Sequence, residues 1–184
     1  MAKLISKTYG DALFELAAET GKTDDFLEEV TTLWRIMDEN PEFGSLMNHP
    51  KVSKEEKLQV LETVFRGRIS SEILGFLALI LRKDRYKELG QIFSYFTERV
   101  KEEKGIGTGY VTTAIPLSGE QKKRIERRLL ETTSYREMEM FYEVDESLIG
   151  GMIVRIKDRV VDSSVRTKLE KLTRQLYKIQ LQSK

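Results

Sequence analysis

Apolar residues recur at alternating three- and four-residue steps through the first hundred positions, which is the pattern of amphipathic helices. Gly21 and Pro41 punctuate this pattern, and Ser53 with Glu56 has the spacing of a capping box. The segment Glu72–Leu81 is apolar on nearly every side, so we expect it in the middle of a bundle. The pattern predicts six helices, marked by Ile5–Leu16, Phe26–Met37, Pro41–Met47, Leu58–Phe65, Glu72–Leu81 and Tyr86–Val100.

The pattern changes after a run of three glycines, Gly105, Gly107 and Gly109, which predicts a linker and turn. Beyond the run, apolar and polar residues alternate in a way that indicates strands. Three strands are predicted, at Val111–Ile115, Met138–Val144 and Met152–Ile156, with Asp158 and Arg159 turning the chain after the third. A basic helix, Glu120–Glu131, separates the first two. We expect the apolar stripe of a last helix to pack on the sheet: Val165, Leu169, Leu172, Leu176 and Ile179.

These elements predict a mainly α fold with two domains. Residues 1–104 form a six-helix bundle, and residues 105–184 form a small α+β domain with an amphipathic last helix. The glycine run between them is expected to act as a flexible joint.

Composition narrows the possible functions. Thirty-one basic residues balance thirty acidic ones, which argues against a protein held to nucleic acid or a membrane by bulk charge. The chain has no cysteine, which excludes disulfides, thiolate metal sites and cysteine nucleophiles. The opening residues lack a secretory pattern, and the longest apolar run is too short to span a bilayer. We therefore expect a soluble protein.

No catalytic motif in the sequence has the required spacing or context. The glycines are spaced GxGxG and follow a helix, whereas a dinucleotide loop follows a strand and opens a helix. The only histidine, His49, precedes Pro50 between two helices, and we expect it in a solvated loop. Adjacent carboxylates such as Asp24 with Asp25 are expected at helix ends, where they complement the helix dipole. No cofactor or metal is expected.

Two helices carry clusters of basic residues that allow two interpretations. One cluster is Lys122, Lys123, Arg124, Arg127 and Arg128; the other is Arg166, Lys168, Lys171, Arg174 and Lys178. They could form an electrostatic footprint for an acidic partner, either a protein or a nucleic acid. A solvated helix face is the simpler interpretation, because the apolar Ile125 and Leu129 already give the first helix an inner side.

Three stretches together resemble the delta subunit of F-type ATP synthase, whose mitochondrial counterpart is the oligomycin-sensitivity-conferring protein. They are Ser6–Ala17, with its Tyr-x-x-Ala-Leu-Phe core, His49–Lys57, and Val144–Leu172 with its Leu-Ile-Gly-Gly motif. The resemblance covers nearly the whole chain in the family's order. The chain departs from the family at five positions: Gly10 where alanine is usual, Gly75 where asparagine is frequent, and Lys157, Ser163 and Thr167 where glycine is usual.

The resemblance implies a non-catalytic stator subunit that links the catalytic head to the peripheral stalk and so supports proton-driven ATP synthesis. An N-terminal helix of an alpha subunit would bind a groove with Tyr9 and Ala12 on one wall and Gly75 and Leu79 on the other. The b subunit of the stalk would meet Arg174 and Lys178. The protein would reach the cytoplasmic face of the inner membrane, or a plastid thylakoid, only through the complex.

Two alternatives remain open on the sequence. The first is a nucleic-acid-binding helical protein that uses the two basic helices, and it predicts binding that weakens steeply with salt. The second is an enzyme or regulator whose site residues are too dispersed along the chain to recognise.

Overall fold

The computed structural model describes residues 2–182, with side chains from residue 4 to residue 175. Within that part of the chain the fold is mainly α with one small sheet, which confirms the predicted class. The helices are α1 Ala2–Glu19, α2 Thr23–Glu39, α3 Pro41–Asn48, α4 Lys54–Phe65, α5 Ser71–Arg82, α6 Leu89–Glu103, α7 Gly119–Thr132 and α8 Val165–Gln182. The strands are β1 Ile106–Thr113, β2 Glu137–Val144, β3 Met152–Ile156 and β4 Arg159–Asp162.

The chain forms two compact units, and the boundary between them lies after Glu103. The first contains α1–α6, and the second contains the sheet with α7 and α8. Whether each unit folds alone, as two independent domains would, stays a prediction.

The first unit is a bundle built around one apolar core, because the predicted stripes turn inward. Helix α1 packs mainly along α6, α2 also packs on α6, and α5 packs along α4. The largest fully buried side chains include Phe26, Phe93 and Phe96. The Ser53 capping box is confirmed, since the hydroxyl of Ser53 accepts from the Glu56 amide and the Glu56 carboxylate accepts from the Ser53 amide.

Helix α5 is buried on one side only. The expectation that it lies in the middle of the bundle is therefore wrong, because its other side is exposed. Ile73, Leu77 and Ile80 are buried, whereas Gly75 is exposed and Leu79 is 43% exposed. The helix begins one residue earlier than expected, because Ser70 caps it by accepting from the Ile73 amide. An apolar helix therefore presents part of its surface to solvent.

The second unit contains a sheet in the order β2-β1-β3-β4, with β1 parallel to β2 and antiparallel to β3. The parallel pair requires a crossover, and α7 supplies it. The prediction of three strands missed β4, and the turn lies at Lys157 and Asp158, one residue earlier than expected. Strand β4 escaped prediction because it is short and exposed throughout, with the adjacent valines Val160 and Val161 on opposite faces.

The glycine run is not the linker that the sequence indicated. Gly107 and Gly109 lie inside β1 and are buried. A Cβ atom at Gly107 would lie 2.5 Å from the Sδ atom of Met138, and one at Gly109 would lie 2.8 Å from the Sδ atom of Met140. A larger residue would not fit at either position, because the methionine side chains of β2 pack over both glycines. Only Lys104 and Gly105 separate α6 from β1.

The expected packing of α8 on the sheet is also wrong at two positions of its stripe. Leu169 is 49% exposed and Leu172 is 55% exposed. Helix α8 packs closely instead on the 3₁₀ turn Glu146–Leu148. The side chains of Leu176 and Ile179 lie outside the described residues. An apolar stripe on α8 is therefore open to solvent.

Candidate partner-binding surfaces

His49 has the environment of a loop residue, as expected. Its side chain is exposed, and its Nδ1 atom accepts a hydrogen bond from the backbone amide of Lys51 at 3.2 Å. Across the described part of the chain, no cluster of three or more histidine, aspartate or glutamate side chains is arranged to hold a metal ion.

Several carboxylates lie in the first turn of a helix or accept hydrogen bonds from neighbouring residues. Asp24 and Asp25 lie in the first turn of α2, as expected. In the bundle, the carboxylate of Glu29 accepts from the amide and the hydroxyl of Ser70, at 3.0 and 2.8 Å. The hydroxyl of Ser71, the Glu72 backbone and the Lys22 ammonium together lower the pKa of Glu72 to about 2. This shift reflects stabilisation of an ionised, structural carboxylate.

The resemblance assigns four residues to a groove that would bind the alpha subunit. Two of them lie on α1 and two on α5. On α1, Tyr9 is half-buried and Ala12 is exposed; on α5, Gly75 is exposed with no atom near the position of a Cβ, and Leu79 is 43% exposed. Both pairs have helical spacing that places their members on one face. Because α1 packs mainly on α6 and α5 on α4, these two helices are not each other's main packing partners.

Helix α1 is held against α6 by a contact that the sequence did not reveal. The hydroxyl of Tyr95 donates to the carboxylate of Asp11 at 2.9 Å, and the Tyr95 ring covers Gly10 so closely that a Cβ atom there would overlap it. Burial and the neighbouring Asp11 raise the pKa of Tyr95. Glycine at position 10 is therefore matched to a tyrosine on α6. This contact fixes the rotation of α1 and leaves Ala12 on its exposed side.

The loop of residues 145–151 joins β2 to β3 and supports the start of α8. Its Asp145 carboxylate accepts from the Ser147 amide at 2.9 Å, and hydrogen bonds from Ser147 lower the pKa of that carboxyl. The Ser147 hydroxyl accepts from the Arg166 guanidinium at 2.8 Å, and the Gly150 carbonyl accepts from the Val165 amide at 2.9 Å. The loop and the first turn of α8 thus form one connected structure.

The second glycine of this loop allows a close backbone approach. Gly151 has a φ of +75°, and a Cβ atom there would overlap the backbone carbonyl of Ser163. Helix α8 is capped by Ser164, whose hydroxyl accepts from the Thr167 amide at 3.2 Å.

Arg174, one of the two predicted stalk contacts, is exposed and lines a shallow groove of about 400 Å³. The other, Lys178, lies outside the residues whose side chains are described. The groove is lined by Ile149, Arg166, Leu169, Glu170, Thr173 and Arg174. Sequence reasoning missed Ile149, which is 66% exposed, because an isoleucine after a buried leucine gives no sign of pointing outward.

The basic cluster on α7 matches a solvated helix face. No residue of this helix is fully buried, and Arg128 pairs with Glu131 at 3.3 Å on the exposed side. The ammonium of Lys122 lies 4.7 Å from the centre of the Tyr142 ring on β2, so one cation of the cluster packs against the sheet. Between α7 and β3 runs a groove of about 450 Å³ whose floor includes Met152 and Val154.

Comparisons with known proteins place the chain in a family. The family model for the ATP synthase delta (OSCP) subunit matches residues 5–176. A curated relative, ATP synthase subunit delta of Lachnoclostridium phytofermentans, is 49% identical and covers 98% of this chain and 100% of its own. The subunit of the same name from Enterococcus hirae is 33% identical, with 94% and 95% covered. These matches give no support to the nucleic-acid interpretation.

A solved structure supports the fold. A chain of the Toxoplasma gondii mitochondrial ATP synthase hexamer superposes with a TM-score of 0.73 at 22% identity, covering 94% of this chain and 97% of its own. In the described residues, no helix is both long and apolar enough to cross a membrane. Because the family model and both relatives extend over nearly the whole chain, this protein belongs to the ATP synthase delta (OSCP) subunit family, whose members are non-catalytic subunits of ATP synthases.

Proposed function

We propose that this chain is a stator subunit that ties the catalytic head of an F-type ATP synthase to its peripheral stalk. The family match over residues 5–176 carries the proposal. The chain holds the head against the torque of the rotor, which is required for proton-driven ATP synthesis. It binds no nucleotide and transfers no phosphoryl group; its work is attachment at two surfaces.

The bundle binds the N-terminal helix of an alpha subunit between α1 and α5. Supporting this assignment, α5 is strongly apolar yet exposes Leu79 and leaves open space beside Gly75. Small residues at Gly75 and Ala12 let a partner helix approach closely, and Tyr9 offers apolar area with a polar tip. An amphipathic helix laid in such a groove buries its apolar face without any change in the bundle core.

Filling the groove tests this surface. In Ala12→Trp, the indole occupies the space of the partner helix, so we expect affinity for a synthetic alpha N-terminal peptide to fall at least tenfold. The matched control is Ala18→Trp, which adds the same bulk at another exposed position of α1. Peptide titration of both variants, with circular dichroism to confirm folding, decides the assignment; equal affinities would remove the groove from the proposal.

The second unit binds the b subunit of the stalk through α8, with Arg174 and Lys178 toward acidic residues of the partner. The exposure of Arg174 beside the exposed stripe of α8 supports this assignment. Arg174→Glu reverses one charge, and we expect weaker binding of the b subunit with alpha-peptide binding unchanged. Unchanged b binding at low salt would remove Arg174 from the interface.

In this role the protein is a peripheral component at the cytoplasmic face of the inner membrane, attached only through the complex. The bacterial origin of the relatives named above favours that location over a plastid thylakoid. Fractionation checks it: the chain should leave washed membranes together with the catalytic head.

A further inference from the structure

Ile149 combines two unfavourable properties in one residue. Its backbone has a φ of +66° and a ψ of −33°, a region that β-branched side chains avoid because of steric conflict. Its side chain is also 66% exposed to water. The preceding residue, Leu148, is fully buried, so the loop of residues 145–151 directs one apolar side chain inward and presents the next one outward.

The other residues with positive φ are easier to explain. Among the described non-glycine residues these are Asp84 and Lys157, both polar and both in tight turns. Aspartate tolerates this conformation, and Lys157 lies in the tight turn between β3 and β4. Only at Ile149 does the strained conformation display a large apolar side chain. Strain of this kind persists where the surrounding structure imposes it, and it is concentrated at functional sites.

The surroundings of Ile149 are built to hold it in place. The Ile149 amide donates to the Glu146 carbonyl at 3.0 Å, and Gly150 and Gly151 follow directly. The Arg166–Ser147 and Val165–Gly150 hydrogen bonds tie the loop to α8. As a result Ile149 lines the same groove as Leu169, and Leu172 continues the apolar stripe one helical turn further along α8.

The charged residues that line this groove are Arg166 and Arg174, against the single carboxylate Glu170. Lys168 and Lys171 add two more cations to the same part of α8. An apolar strip bordered by cations is complementary to an amphipathic helix whose apolar face is flanked by acidic side chains.

We propose that Ile149 and Leu169 form the apolar anchor through which the second unit holds an acidic amphipathic helix of the stalk subunit. The proposal rests on the proposed stator function and specifies the chemistry of its stalk contact. The strained loop presents Ile149 in advance, so binding requires no ordering of that side chain. The cations of α8 orient the partner and speed its approach.

Replacing Ile149 by glycine separates a binding role from a structural one. Glycine adopts positive φ freely, so Ile149→Gly should leave the melting temperature unchanged or raise it. The same change removes the anchor, and we expect binding of a b subunit without its membrane-spanning segment to weaken roughly 10- to 100-fold. Leu169→Ser should weaken the same interaction by about tenfold, again without unfolding.

Two control variants match these changes. Lys157→Gly introduces glycine at another positive-φ position, and Val160→Ser removes another exposed apolar side chain, 59% exposed on β4. Both should bind the b subunit as the unaltered chain does. All titrations use the full-length chain, and sedimentation of the chain alone accompanies them.

The outcomes are distinguishable. If the unaltered chain fails to bind the b subunit at low salt, the stalk assignment itself falls. If the unaltered chain binds and Ile149→Gly binds equally well, the anchor is wrong while the stator function stands. A fall in the melting temperature of Ile149→Gly would show a structural role for the side chain. Self-association of the unaltered chain that disappears in this variant would make a second copy the occupant, and would also overturn the proposal.

Discussion

The two units of this protein use their apolar residues in different ways. The bundle places Phe26, Phe93 and Phe96 in a core where each is almost completely buried. The second unit has few buried apolar side chains, chiefly Val111, Ala114, Met138 and Leu148. Several of its larger apolar side chains are half or more exposed, among them Ile149, Val160, Val161 and Leu172. We therefore expect the bundle to fold by itself, and we expect the exposed apolar surface of the second unit to bind partners.

The largest expected effect is loss of the bundle core. Phe96→Ala removes a fully buried ring and leaves a cavity, so the free energy of unfolding should fall by about 3–5 kcal/mol. Phe141→Ala, on the exposed face of the sheet, removes a ring stacked 5.2 Å from Tyr110 and should cost about 1 kcal/mol or less. Denaturant titration of both variants measures the contrast; equal losses would mean that the sheet face is packed as tightly as the core.

A smaller effect is expected where α1 meets α6. Gly10→Ala forces a methyl group against the Tyr95 ring and should lower stability by about 1–3 kcal/mol. Because the conflict is with one side chain, the double variant Gly10→Ala/Tyr95→Ala should lose less than the sum of the two single variants. Additive losses in urea unfolding would show that the ring moves aside freely.

Acid should affect the start of α8 through Asp162. Hydrogen bonds from the Thr167 hydroxyl, the Ser164 hydroxyl and the Ser164 amide lower the pKa of Asp162 from 3.8 to about 2. A lowered pKa means that folding stabilises the ionised form, so this contribution is complete above pH 4 and disappears as the pH falls toward 2. The difference in melting temperature between the native chain and Asp162→Asn should therefore shrink over that interval. A constant difference would contradict the shift.

The smallest expected effect concerns surface charge. Arg128→Glu breaks an exposed salt bridge with Glu131 and should change the free energy of unfolding by less than about 1 kcal/mol. The cluster on α7 is a solvated face, so binding of the chain to DNA-cellulose should be weak and unaffected by the change. A large drop in such binding would revive the nucleic-acid interpretation.

The bundle was predictable from sequence because its helices follow one rule, burial of a stripe at helical spacing. That rule predicted α1–α6 and the basic helix α7. In α2, for example, the predicted stripe contains Phe26, Val30 and Leu33, which are all buried. It failed where the environment rather than the pattern decides. Gly107 and Gly109 resembled a flexible joint in the sequence. Their real role is to leave room for Met138 and Met140 of β2, and those residues are too far along the chain for a local pattern to reveal the contact.

The sites were less predictable than the fold. Tyr9, Ala12, Gly75, Leu79, Arg174 and Lys178 were proposed from resemblance, and their partner contacts stay predictions. The structure adds what spacing cannot provide, namely that Gly75 and Leu79 are exposed on an apolar helix. Ile149 could not have been found from sequence, because its importance depends on a backbone angle and on a neighbour twenty residues further along.

The central claim is that the two units divide the work of attachment, and a fragment of residues 1–104 tests it most directly. We predict that this fragment folds, binds the alpha N-terminal peptide as tightly as the full chain, and fails to restore proton-coupled ATP synthesis to membranes that lack the subunit. ATP hydrolysis by the detached head should proceed without it. A fragment that restores coupled synthesis alone would contradict the division of work, and an unfolded fragment would contradict the self-sufficiency of the bundle.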